Sequence, residues 1–93
     1  MVRKCYAVRD TVAGVFAGGL HLHAGDPAAI RMFGDVASDR NTMIGLHPND
    51  FELCCVGQFD ESTGNLVGCE PVTVITGAAW RAAQQAQEAS ANA

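Results

Sequence analysis

Alternation of apolar and polar residues predicts two short β-strands near the start of the chain. The first runs from Arg3 to Arg9, with Tyr6 and Val8 on one of its faces. Thr11 to Gly19 is rich in glycine, which indicates a flexible hairpin connection. The second strand is Leu20-His21-Leu22-His23, whose period of two is typical of a strand with one buried face. In that arrangement the histidines lie on the wet side.

A helix is predicted after this hairpin. Asp26 is suited to the N-cap, and Pro27 to the first helical position, where its missing N–H is not needed. Ile30, Phe33 and Ala37 then recur at spacings of three and four, which builds one apolar stripe. We expect this apolar stripe to pack against one face of a β-sheet.

The second half of the chain predicts another pair of strands. Ser38 to Asp50 is dense in turn-forming residues and indicates an irregular connection. Phe51 to Phe59 is rich in apolar and aromatic residues and ends in a polar turn with a glycine. Leu66 to Thr76 has strong β propensity, although Pro71 limits pairing near its middle.

The order of elements predicts an α+β fold, a small antiparallel sheet (β-β-α-β-β) with one main helix; an OB-like barrel is the less favoured alternative. Residues 1–77 form a single domain in this interpretation. Residues 78–93 are rich in alanine and glutamine and form a C-terminal helix or tail. Trp80 could anchor that tail against the body or against a neighbouring subunit.

The chain has 93 residues, enough for one modest core that oligomerisation would help to stabilise. It contains no apolar run near the roughly 20 residues that span a bilayer, and its N-terminus lacks a signal pattern. We therefore expect a cytosolic protein. The four cysteines are interpreted as small buried hydrophobic residues, because reducing conditions disfavour disulfides: Cys5, Cys54, Cys55 and Cys69.

The net charge of the chain argues against nucleic-acid binding, but the positions of its basic residues leave a local binding surface possible. The formal net charge is −4, whereas affinity for phosphates usually comes from Lys and Arg. Three of the six basic residues are close together on the first predicted strand, so a local positive strip is possible, and two more could extend it. The strip consists of Arg3, Lys4 and Arg9, with Arg31 and Arg40 as the extension. The alternative is that these are ordinary solvated charges.

Two aromatic residues are candidates for stacking on bases: Tyr6 beside the basic strip and Phe16 in the glycine-rich connection. His21 and His23 share one face of a strand and could contact phosphates or bases. They could also supply two metal ligands, but no Cys-x-x-Cys or His-x-x-x-His pairing supports a metal site. We expect neither metal nor cofactor.

Nothing in the sequence assembles a catalytic centre. Asp60 and Glu61 are adjacent at a turn, where their carboxylates point apart and no histidine or nucleophile accompanies them. The glycines at positions 14, 18 and 19 lack the Lys-Ser/Thr ending of a phosphate loop. An enzyme is not expected.

Three blocks of the chain resemble the small nonstructural protein of the microviruses, in the gokushovirus-like branch of these single-stranded DNA phages. The blocks are Ala29-Ile30-Arg31-Met32-Phe33-Gly34-Asp35, His47-Pro48-Asn49-Asp50-Phe51-Glu52-Leu53 and Gly57-Gln58-Phe59-Asp60-Glu61-Ser62-Thr63-Gly64, after an opening strand that ends in Arg9-Asp10. The resemblance leaves the alanine-rich tail outside. Gly18 to His23 departs from the family, in which an aromatic segment precedes the helix.

The resemblance implies a phage protein, made in the bacterial cytoplasm, that binds single-stranded DNA during genome replication or packaging and has no catalytic residues. DNA would be bound by an oligomer through the residues named above. The alternative is a protein-interaction or assembly factor that recruits phage or host replication proteins, or capsid proteins, without contacting DNA. A continuous basic groove along the first strand would favour DNA binding, and a neutral or acidic strip would favour the alternative.

Overall fold

The computed structural model describes residues 1–91, which form four strands and three helices. The strands are β1 (Val2–Asp10), β2 (Val15–His23), β3 (Phe51–Asp60) and β4 (Leu66–Thr76). The helices are α1 (Asp26–Ala37), the short α2 (Met43–Leu46) and α3 (Gly77–Ala91), with a 3-10 turn at Pro48–Asp50. The predicted β-β-α-β-β order and the C-terminal helix are confirmed. Residues 92 and 93 of the predicted tail lie outside the described residues.

The four strands form one antiparallel sheet in the order β2-β1-β3-β4. The sheet is open, with β2 and β4 at its edges, and the barrel alternative was therefore wrong. Pro71 lies on the edge strand β4, in a stretch that is skipped by the pairing register with β3. This is the position that a residue without a backbone N–H requires.

The core lies between one face of the sheet and α1. Ala29, Phe33 and Ala37 are the buried residues of α1, and Ile30 is half-buried beside them. They meet side chains of β1 and β3, so the predicted apolar stripe covers the sheet. The buried core cluster consists of Tyr6, Val8, Ala29, Phe33, Phe51 and Leu53.

Two local predictions around α1 were wrong. Asp26 is the first residue of the helix, and Gly25, which has no side chain to cap with, occupies the N-cap. The carboxylate of Asp26 instead accepts a hydrogen bond from the hydroxyl of Tyr6. The connection after α1 is also less irregular than predicted, because it contains α2, where the hydroxyl of Thr42 caps the helix by accepting the N–H of Gly45.

Strand β2 is longer than predicted, and the face of β2 that was predicted to be exposed is the one that faces the core. It begins at Val15 and includes a bulge at Gly18 and Gly19, whose φ angles of 82° and 81° suit glycine alone. Beyond the bulge, His21 pairs with the core residue Tyr6 and so faces the helices. By alternation Leu20 and Leu22 face away from them, at 59% and 42% exposure. The histidines, predicted to be wet, face inward.

The sheet face opposite the helices is called the open face below. Its members follow from the registers, since directly paired residues share a face. At its centre, Cys5, Ala7 and Cys54 are buried although they are not part of the core cluster. Its other members include Arg3, Arg9, Phe16, Leu20, Leu22, Glu52, Phe59, Leu66, Thr73 and Thr76.

The cysteines match the prediction only in part. Cys5 and Cys54 are buried, Cys55 is half-buried and Cys69 is exposed on the edge strand β4. All four are free thiols. Burial raises the pKa of the Cys5 and Cys54 thiols. None of the helices in residues 1–91 is long and apolar enough to cross a membrane.

Candidate nucleic-acid interface

The basic residues of β1, called the strand cations below, do not form a continuous positive strip. The side chains of Arg3 and Arg9 lie on the open face and that of Lys4 on the helix side, because they alternate along the strand. Each one also has a carboxylate partner. The ion pairs are Arg3 with Glu61 (3.0 Å), Lys4 with Asp26 (3.5 Å) and Arg9 with Glu52 (3.9 Å).

Tyr6 is unavailable for stacking on a base, contrary to the sequence-based hypothesis. Its side chain is fully buried under α1, and its hydroxyl donates to Oδ1 of Asp26 at 2.6 Å. Burial, and the hydrogen bond to Asp26, raise the pKa of Tyr6. The same hydrogen bond, followed by the charge of Lys4, lowers the pKa of Asp26. Tyr6 therefore joins β1 to the start of α1.

The two histidines belong to the same inner side. His23 lies beside Tyr6, with 5.9 Å between their ring centroids, and its Nε2 is buried without a hydrogen-bond partner among residues 1–91. His21 lines a small cleft between β2 and α1. Within the described part of the chain, no group of three potential ligands is placed to hold a metal ion. His23 pairs across the strands with Lys4, whose ammonium group is already paired with Asp26.

Phe16 is the one predicted stacking residue that stays accessible. It is 45% exposed on the open face, where it pairs with Arg9 across β1 and β2. Its neighbours there include the leucines of β2 and the Arg9–Glu52 ion pair. The surroundings of Phe16 are thus apolar and charge-balanced, unlike a surface that attracts phosphates.

The remaining three basic residues lie together on the helix side. Arg31 is on α1, Arg40 follows α1 and Arg81 is on α3; they are called the groove arginines below. All three are exposed, and no carboxylate of residues 1–91 forms an ion pair with them. They line two open clefts that meet at the side chain of Trp80. One cleft, of about 340 Å³, contains Arg40 and Arg81, and the other, of about 380 Å³, contains Arg31.

Trp80 lines both clefts, which together are called the Trp80 groove. Trp80 is half-buried and packs on α1 at Gly34, where an added Cβ would lie 2.7 Å from the indole Nε1. Glycine at this position lets the ring approach the helix backbone. Gln84 lines both clefts, and one acidic residue lies in each, Asp35 with Arg31 and Glu88 with Arg81.

Arg31 and Arg40 were predicted to extend the basic strip of β1, but the structure places them on the helix side. They do not extend a strip along β1; they meet Arg81 and Trp80, which were not chosen. A signal was present, because the tail's single tryptophan is followed directly by an arginine in an otherwise small and polar segment. Their relation to α1 depends on how α3 packs, which the sequence pattern does not give.

Comparison with known proteins agrees with the resemblance found in the three sequence blocks. Residues 3–80 match the family model of the phage ORF5 protein. Protein ORF5 of Chlamydia phage 1, a gokushovirus, is 35% identical over 75 residues, which is 75% of this chain and 78% of that relative. No solved structure matches the chain. The match begins at the second residue of β1 and ends in the first turn of α3, and the chain belongs to the phage ORF5 protein family of the microviruses.

Proposed function

We propose that this phage protein binds single-stranded DNA through the Trp80 groove, without catalysis, during genome replication or packaging in the bacterial cytoplasm. The observation that carries the proposal is the location of the groove arginines. They are the basic residues of the described chain that have no carboxylate partner, and they line the two clefts that its single tryptophan also lines.

The chemistry of the groove suits a single strand. Exposed guanidinium groups neutralise phosphates, and an indole offers a π face to any base, worth about 1–3 kcal/mol per stacked base. Trp80 lines both clefts, and each cleft also contains an arginine. Binding of this kind is tolerant of sequence, because neither phosphates nor stacking faces distinguish the bases.

Because the chain carries a net negative charge, DNA binding would depend on local contacts in the groove. With a formal net charge of −4, long-range attraction of DNA is weak, so affinity has to come from close contacts in the groove. Asp35 in one cleft and Glu88 in the other repel phosphates. We expect moderate affinity from one copy.

The test compares two triple variants in fluorescence anisotropy with labelled single-stranded and double-stranded oligonucleotides. One replaces the groove arginines (Arg31, Arg40 and Arg81) by alanine, and the other, as matched control, replaces the strand cations (Arg3, Lys4 and Arg9). Both remove three positive charges. We expect the first variant to lose binding and the second to keep it, since the strand cations are already paired with carboxylates.

Salt dependence and tryptophan emission give independent readouts. Three phosphate contacts with a single strand correspond to a slope of about −2 in a plot of log K against log salt concentration. Stacking on Trp80 should quench the emission of this single tryptophan when unlabelled DNA is added. Equal losses in both triple variants, or no binding by folded protein at low salt, would contradict the proposal.

The second candidate function is that of a protein-interaction or assembly factor that recruits replication or capsid proteins. The strand cations favour it, because their ion pairs leave β1 without the basic groove that DNA binding along this strand would need. Absence of DNA binding, together with capture of a defined phage or host replication protein by the purified chain, would support it.

A further inference from the structure

The leucines of β2 lie on the open face of the sheet, where a monomer leaves them exposed to solvent. A strand with one buried face normally turns its apolar residues to the core. In β2, Leu20 and Leu22 instead face away from the helices and remain 59% and 42% exposed, while His21 and His23 face inward. The alternation is regular, so the leucines form a row that residues 1–91 of one chain leave uncovered.

Further exposed apolar residues lie on the same open face. Phe16 lies on β2 at 45% exposure, and Leu66 lies at the opposite edge of the sheet, on β4, at 56% exposure. Phe59, half-buried, pairs with Leu66. Soluble monomers seldom expose a contiguous apolar patch of more than a few hundred Å². An exposed apolar sheet face of this kind indicates a partner.

The balance of charges on the open face favours a second copy of this chain over DNA as the partner. Arg3 and Arg9 are each paired with a glutamate, so the charged side chains of this face balance within one chain. A polyanion such as DNA gains little from a surface whose cations are already neutralised. A surface with balanced charges of both signs is complementary to itself, because in a two-fold arrangement each arginine can meet a glutamate of the other copy.

The size of the face is sufficient for such a dimer. Four strands at about 4.8 Å spacing, with nine residues at about 3.3 Å each, cover roughly 600 Å². Two copies packed face to face would bury roughly 1,200 Å², above the roughly 1,000 Å² expected of a specific interface. Sheets pack in this way at about 10 Å separation.

We propose that the open face is the interface of a symmetric homodimer, in which a second copy of this chain covers Phe16, Leu20 and Leu22. The helices lie on the outer sides of that dimer, so the interface leaves α1 and α3 accessible. Self-association would supply the apolar contacts that the small core of one chain lacks.

The test measures the mass of the protein by multi-angle light scattering over a wide range of concentrations. We expect the mass to rise towards twice the monomer value of 9.8 kDa, and the unfolding temperature to rise with concentration. A double variant, Leu20→Asp with Leu22→Asp, should stay monomeric at all concentrations. Met43→Asp is the matched control, because Met43 is 64% exposed on α2, away from the open face, and this variant should dimerise normally.

Three results would overturn the proposal. They are a monomeric mass of the unmodified protein at the highest concentration, a dimeric mass of the Leu20/Leu22 variant, and loss of single-stranded DNA binding by that variant at unchanged mass, which would assign the face to nucleic acid. The concentration dependence of the unmodified protein decides the question even if the double variant fails to fold.

Discussion

Removal of the Tyr6 hydroxyl is the sharpest test of how β1 is joined to α1. In Tyr6→Phe the buried ring stays and only the 2.6 Å hydrogen bond to Asp26 is lost. A hydrogen bond to a charged partner contributes about 1.5–3 kcal/mol. The side chain of Asp26 is 45% exposed, so water replaces part of the interaction, and we expect a loss of about 1–2 kcal/mol in the free energy of unfolding.

Urea unfolding of both proteins near neutral and at acidic pH measures this loss. In the folded chain the pKa of Asp26 lies below its ordinary 3.8, chiefly because the carboxylate accepts the Tyr6 hydroxyl. Its contribution is therefore present above the unfolded pKa and is lost as the pH falls through the folded value. The difference between the proteins should shrink at about pH 2. Differences of less than about 0.3 kcal/mol near neutral pH, or equal differences at both pH values, would refute the reasoning.

Two further predictions concern backbone packing and thiol access. Gly77→Ala should lower the free energy of unfolding by more than about 2 kcal/mol, because the added Cβ would collide with the carbonyl oxygen of Pro48. The control Gly68→Ala should cost about 1 kcal/mol or less, because its Cβ would meet no close atom. Similar losses for the two variants in thermal unfolding would contradict this prediction. The exposed Cys69 should react with a thiol reagent at once in the folded protein. Cys5 and Cys54 should react only on unfolding, because burial excludes the reagent and raises the pKa of these two thiols. Rapid reaction of all thiols in the folded protein would contradict the packing.

The local elements were accessible from the sequence because short-range rules govern them. The stripe of Ile30, Phe33 and Ala37 predicted α1 and its buried side, and the turn after Phe59 was predicted from a glycine, Gly64, that has a φ of 77°. Side-chain periodicity and turn chemistry depend on residues a few positions apart.

The candidate site was only partly accessible. Arg3, Lys4 and Arg9 are neighbours in the sequence, but their carboxylate partners are as far away as residue 61. Whether an arginine is free therefore depended on strand pairing. Trp80 and Arg81 gained their relation to Arg31 only when α3 packed against α1.

By itself, the sequence determined the number, type and order of the main elements, the antiparallel α+β fold and the phage family. The tertiary structure decided which side of β2 faces the core, which cations are neutralised and which aromatic residue remains accessible. Alternation along β2 marks two faces but does not say which of them the helix covers. That choice follows from the pairing of His21 with Tyr6 and from the packing of α1. These contacts join distant parts of the chain, and only the folded sheet brings them together.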